Sequence, residues 1–151
     1  MAIGKKNDMS GLIEELATLE RDAVAAYDAA IARLEDPANK SKVAQFREDH
    51  VQHLEELEKL AEKHGGRFPL DPGALSILTT SKVAIADLVG GDAAILKAMG
   101  ANEGQTFAAY ENASANDAVP AEDRSIFQRA LEDEERHKAW MTEAAQAPQP
   151  G

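Results

Sequence analysis

Six ionisable residues occupy places where the chain otherwise buries hydrocarbon: Glu20, His50, His53, Glu103, Glu134 and His137. Val43, Phe46, Leu57 and Leu60 define one stripe on a 3.6-residue period, and the places missing from it are 50 and 53. Glu20 lies inside the stripe Ile13, Leu16, Ala23, Tyr27, Ile31 and Leu34. Glu103 interrupts Leu96, Met99, Thr106 and Tyr110, while Glu134 and His137 interrupt Phe127, Ala130, Met141 and Ala144. Carboxylates in a dry interior are costly unless positive charge meets them, and no Lys or Arg falls at a core-facing place. A divalent cation would supply that charge. Oxygen and imidazole donors without sulfur suit iron, manganese or zinc. A metal-free polar network is the alternative reading of the same six residues.

The six are arranged as a repeat. Glu20 and Tyr27 correspond to Glu103 and Tyr110 at an offset of 83, and His50 and His53 correspond to Glu134 and His137 at an offset of 84. Glu-x6-Tyr followed by (His/Glu)-x-x-His therefore occurs twice, as expected of a duplicated helical hairpin. Tyr27 and Tyr110 fit core packing with a hydrogen-bonded hydroxyl; the functional alternative is contact with a ligand carboxylate, or an electron source near a metal.

Helices must position these groups. Ala, Leu, Glu and Lys are abundant, and strand-like alternation is absent. The spacing predicts a loose tail over 1–9 and a first helix from Ser10, as N-cap, to about Glu35. Asp36-Pro37 caps and starts a second helix, which runs to about His64 with Gly65 beyond it. Residues 65–91, broken by glycine and proline, read as a long connection, with one or two helical turns between Ala74 and Leu88. Asp92 caps a third helix to about Ala115, and Pro120 starts a fourth to about Gln146, leaving 147–151 as a tail. Gly100 and Gly104 flank Glu103 and suggest close helix packing or room beside a buried site. Counted at 1.5 Å per residue, Glu20 lies about 15 Å along its helix, level with His50 and His53 on the antiparallel neighbour; the same count matches Glu103 to Glu134 and His137. By the same 100° rule Asp28, Asp49, Glu111 and Asp133 turn away from the stripes and read as surface. His64, at a helix end, is given no further role.

The pattern resembles the ferritin-like superfamily, the rubrerythrin-like and bacterioferritin-like di-iron bundles, over roughly residues 10–146. That resemblance implies an all-α, antiparallel four-helix bundle with a long crossover between helices two and three, forming one domain of hairpin 10–64, crossover 65–91 and hairpin 92–146. The family pattern is Glu, Glu-x-x-His, Glu, Glu-x-x-His. Glu20, His53, Glu103, Glu134 and His137 match it. His50 departs from it: the family has a metal-bridging glutamate there, and an imidazole does not bridge two metals as a carboxylate does. A single ion, or zinc instead of iron, thereby gains ground over a di-iron pair.

The resemblance implies ferrous iron oxidation, or chemistry with oxygen or peroxide, as the activity. The rival is a non-catalytic, stress-associated or structural bundle holding one ion, or none. No cysteine is present, so thiolate sites and a rubredoxin-type electron feed are excluded. A net charge of -11 with no basic stripe argues against nucleic acid and anionic membranes as partners. No apolar run reads as a signal peptide or a membrane span, which predicts a soluble, cytoplasmic protein. With no clear fifth helix after residue 146, a homodimer is expected rather than a cage.

Overall fold

The computed structural model of the protein describes residues 3–64 and 84–147, and all regular structure within them is helical. Four long helices carry it: α1 (Met9–Arg33), α2 (Pro37–Lys63), α3 (Asp92–Ser114) and α4 (Arg124–Gln146). A short helical segment covers 84–86. Most of the expected crossover (65–83) and nearly all of the expected C-terminal tail (148–151) lie outside the described residues. Among the described residues no helix is long and apolar enough to cross a membrane.

Local chemistry sets the helix ends. The Asp8 carboxylate accepts from the Gly11 N–H at 2.7 Å and caps α1, so Ser10 falls inside the first turn instead of capping it. Asp36 caps α2 by accepting from the Ala38 N–H, and Pro37 takes the first helical position, where its missing N–H costs nothing. Asp92 is no cap: Gly91 holds that place, and the Asp92 carboxylate accepts from the Glu35 and Asp36 N–H groups and from Asn39, binding the start of α3 to the α1–α2 corner. The fourth helix begins at Arg124, after turns at Pro120–Asp123 rather than at Pro120 itself. Residues 3–8, expected within the loose tail, are hydrogen-bonded to the helices. The Gly4 N–H donates to Glu15, and Asn112 and Asn116 donate to the Ile3, Gly4 and Lys6 carbonyls. Gly4 has φ +95°, and a Cβ there would meet the Ala109 carbonyl oxygen at 2.4 Å, so glycine is required on both counts.

The same bonds give the helix directions. The N-terminal end of α1 lies beside the C-terminal end of α3, and Arg33 at the far end donates to the Ile85 carbonyl, just ahead of α3; α1 and α3 are antiparallel. Lys63 and His64, ending α2, reach Asp123 at the head of α4, so these two are antiparallel as well. The joint at 34–36 folds α2 back on α1, which leaves α2 and α3 running the same way.

Two apolar clusters fill the interior. One gathers Leu12, Leu16, Leu57, Tyr110 and Phe127 with their neighbours, and the other gathers Tyr27, Val43, Phe46, Leu96 and Met141. On every helix the members of the six, Glu20, His50, His53, Glu103, Glu134 and His137, fall between the stretches that feed these clusters. A polar layer thus lies between two dry ones.

Candidate metal centre

Each helix delivers its polar residues to that layer because the intervening positions are apolar and buried. Glu20 comes from α1, His50 and His53 from α2, Glu103 from α3, and Glu134 and His137 from α4. Four of the six are wholly buried; Glu103 is 2% and His53 6% exposed. The structure brings all six together in two overlapping sets, Glu20–His50–His53–Glu134 and His50–Glu103–Glu134–His137. In each set, one donor atom per residue lies within 4.8 Å of the others. His50 and Glu134 belong to both.

Aspartates outside the layer orient two of the rings. His53 Nε2 lies 2.8 Å from Asp133 Oδ2, and His137 Nε2 lies 2.8 Å from Asp49 Oδ2. A carboxylate accepts, so each Nε2 carries the proton and donates outward. That leaves Nδ1 facing the layer in both rings. Arg136 donates to Asp49 at 3.1 Å and Asp133 at 2.9 Å, clasping the two aspartates. Beside them a surface cleft of about 290 Å³ is lined by Asp49, Gln52, His53, Glu56, Glu132 and Asp133. The 100° step per residue places Asp49 and Asp133 on the surface. They are partly exposed, yet their carboxylates turn inward to the histidines. The signal that finds them is the repeat itself, since 49 and 133 stand at the same offset of 84 as His50 and Glu134. The same reading suits Asp28, which pairs with Arg47 in the open. His64, given no role, forms with Lys63 and Asp123 the tie between α2 and α4.

The remaining donors tighten the layer. Tyr27 donates to Glu103, and Thr106 donates to Glu134 Oε2 at 2.7 Å. Phe46 stacks on His137 with ring centroids 4.2 Å apart, and Trp140 meets Phe46 edge-on. Among the described residues Gly104 is not a close-packing glycine, because a Cβ there would meet none of their atoms within 4 Å.

The electrostatics follow from burial opposed by neighbouring charge. Burial raises the Glu20 carboxyl, but His50 and His53 outweigh it and hold the group at about 2. Burial lowers His50, yet Glu134, Glu20 and Glu103 raise it well above the ordinary imidazole value; His53 is raised likewise by Glu20 and Asp133. Glu134 is pushed well up by burial and by the Glu103 charge, against the pull of His50. Glu103 goes well down: burial opposes this, and hydrogen bonding with Glu134 and the His50 charge prevail. Burial first, then Glu103 for Tyr27 and Glu20 for Tyr110, keeps both phenols protonated. Without a cation the layer therefore balances its charge with protons.

The donor set fits a metal on an observation independent of charge. Glu134 Oε1 and His137 Nδ1 are buried and make no hydrogen bond among the described residues. Their nearest polar neighbours, His53 Nδ1 and His50 Nδ1 for the first and Glu103 Oε2 for the second, stand at 3.4, 3.5 and 3.5 Å. Buried polar atoms rarely stay unpaired, and here an acceptor oxygen and a ring nitrogen belong to the same candidate set.

Comparison with curated proteins and with solved structures gives no match. A family model matches residues 8–116, from the cap of α1 to just beyond α3 and short of the helix that carries Glu134 and His137. That is well over half of the chain, so the protein belongs to the family described as a domain of unknown function, DUF2383.

Proposed function

We propose that the protein is a ferritin-like four-helix bundle that binds one or two transition-metal ions in its polar layer. Iron is the first candidate, with zinc and manganese as alternative occupants. The observation that carries this reading is the pair of buried, overlapping His/Glu sets, in which Glu134 Oε1 and His137 Nδ1 make no hydrogen bond among the described residues. The parallel course of α2 and α3 supports the bundle reading, since a long connection is what joins helices running the same way.

Glu20, His53 and one oxygen of Glu134 would hold a cation on one side; Glu103, His137 and the other oxygen would hold one on the other. Bound iron would supply electron exchange with oxygen or peroxide, which makes ferrous iron oxidation or peroxide removal the proposed activity. The chain's own residues prepare the site. Asp49 and Asp133 fix the histidine tautomers, Tyr27 and Thr106 orient Glu103 and Glu134, and the two apolar clusters keep water from the carboxylates. The test is elemental analysis of freshly purified protein, followed by aerobic addition of ferrous iron in repeated portions. Iron in the isolated protein, with near-ultraviolet absorbance growing at every addition, supports the oxidase reading. Protein that retains no metal after reconstitution overturns it.

One observation favours a quieter role. Of the six residues only His53 has any appreciable exposure, and Arg136 clasps the two aspartates beside it. A closed site of that kind suits holding an ion without turnover. Bound zinc, or a single absorbance rise that does not repeat, would select it.

A further inference from the structure

His53 and His137 each direct one nitrogen outward to an aspartate and one inward. His50 does neither. It is wholly buried, and both of its nitrogens face carboxylates of the polar layer. Nδ1 lies 2.6 Å from Glu20 Oε2 and 3.5 Å from Glu134 Oε1, among the donors of the first set. Nε2, on the far side of the ring, lies 3.1 Å from Glu103 Oε1, a donor of the second set. Among the described residues no backbone carbonyl or outer aspartate claims either nitrogen, so nothing there fixes one of them as a permanent N–H donor in the way Asp133 fixes His53.

Building on the metal reading, we propose that His50 is a bridging ligand: it joins two divalent cations as an imidazolate, Nδ1 to the ion shared with Glu20 and His53, Nε2 to the ion shared with Glu103 and His137. A single carboxylate group can hold two ions side by side, which an imidazole cannot do. An imidazolate instead has a lone pair on each of two diverging ring nitrogens, one for each ion. The proton balance is simple. A neutral ring gives up its one N–H proton to solvent as the second cation binds, a cationic ring gives up two, and no electron moves.

Charge supplies the second argument. Glu20, Glu103 and Glu134 contribute three negative charges, one short of what two divalent ions carry. An imidazolate at position 50 contributes the fourth. The buried layer is then neutral, the condition under which a dry interior tolerates so many ions. The histidine that breaks the family pattern thereby restores the charge that a fourth glutamate would have brought.

Zinc(II) is the appropriate probe, being diamagnetic and redox-inert. The full chain, labelled with nitrogen-15 at histidine, is loaded with zinc, its metal content is measured, and the ring nitrogens are observed by long-range proton–nitrogen correlation. His50 is assigned by the signals missing from His50→Gln, or by elimination with His53→Gln and His137→Gln if that variant does not fold. The expected result is two zinc ions per chain, both His50 nitrogens metal-shifted with no ring N–H, and one metal-shifted nitrogen each for His53 and His137. Bound zinc with a surviving N–H on His50, or one zinc per chain, overturns the bridge and leaves the metal site standing. A chain that binds no zinc overturns both.

Discussion

The α1–α2 hairpin and the α3–α4 hairpin share one register, and their differences fall at the centre. At the rim they are treated alike and crossed: Asp49 of the first reaches His137 of the second, and Asp133 of the second reaches His53 of the first. At the centre the equivalent places hold His50 and Glu134, a ring with two diverging nitrogens and a carboxylate with two oxygens. The tyrosines also part company. Tyr27 donates to Glu103, whereas the buried Tyr110 hydroxyl makes no hydrogen bond of ordinary geometry among the described residues, with Glu20 its foremost charged neighbour. A duplicated hairpin thus keeps its outer supports symmetric and places asymmetry where a cation would be shared.

The sharpest way to break that comparison is to remove the shared carboxylate. Glu134→Ala deletes an oxygen from both sets, whereas Glu20→Ala touches only the first. Loss of a partner outside the ligand shell already costs about 10–100-fold in metal affinity, so a shared ligand should cost more than about 100-fold. Elemental analysis after dialysis should find Glu134→Ala almost bare and Glu20→Ala with one set still filled. Equal retention by the two variants would remove the shared role of Glu134.

Next in size is the dependence on pH of protein stripped by a chelator. Glu20 sits at about 2 in the fold against about 4.5 unfolded, so its contribution is complete above 4.5 and is lost as pH falls toward 2. His50 and His53 are raised well above 6.5, so their contribution is complete below 6.5 and is lost as pH rises through their folded values. Glu134 is raised above 4.5, so its contribution is complete below 4.5 and is lost as pH rises toward its folded value. The urea midpoint of the stripped protein should therefore be highest near about pH 4.5, falling below it with Glu20 and declining above it as Glu134 and then the histidines lose their protons. Zinc displaces the protons and should flatten the alkaline side, with protons released to the buffer on binding. An alkaline limb unchanged by zinc would separate the histidine charges from metal binding.

The tyrosine pair gives a smaller, more local contrast. Tyr27→Phe leaves the buried Glu103 short of a donor, which costs about 1–3 kcal/mol. Tyr110→Phe removes a buried hydroxyl that makes no hydrogen bond among the described residues, so it should cost less than Tyr27→Phe or stabilise the fold slightly. Urea unfolding of the stripped variants measures both. If the two changes cost the same, the hairpins are more alike than their hydrogen bonds imply.

How far the sequence carries depends on whether a feature is periodic. The four helices and the level of the six polar residues were legible because apolar spacing alone determines them. The α2 start was legible because Asp36-Pro37 acts locally. Asp92 was misread for the opposite reason: its partners Glu35, Asp36 and Asn39 are more than fifty residues away, and a carboxylate at a helix start looks the same whether it caps or crosses. Asp49 and Asp133 were lost because a 100° step says where a Cβ points, while a carboxylate at a helix–helix seam can still turn back toward the neighbouring helix. Thr106, which donates to Glu134, read as one more stripe residue because its methyl group suits that stripe.

The smallest predicted effect tests the hairpin comparison at its least functional point. Gly104 on α3 corresponds to Arg21 on α1 at the offset of 83, so the first hairpin already carries a side chain there. Glycine inside a helix costs roughly 0.5–1 kcal/mol relative to alanine through backbone entropy. An added Cβ at 104 meets no atom of the described residues within 4 Å, so nothing in the described fold opposes the gain. Gly104→Ala should accordingly raise stability by about 0.5–1 kcal/mol in urea unfolding and leave zinc content unchanged. At Gly100, where a Cβ would touch Met141 at 3.5 Å, an ordinary contact, the same change should also be tolerated. If Gly104→Ala loses zinc while remaining folded, the space beside Glu103 is needed by the site, and the glycine belongs to its chemistry rather than to the helix.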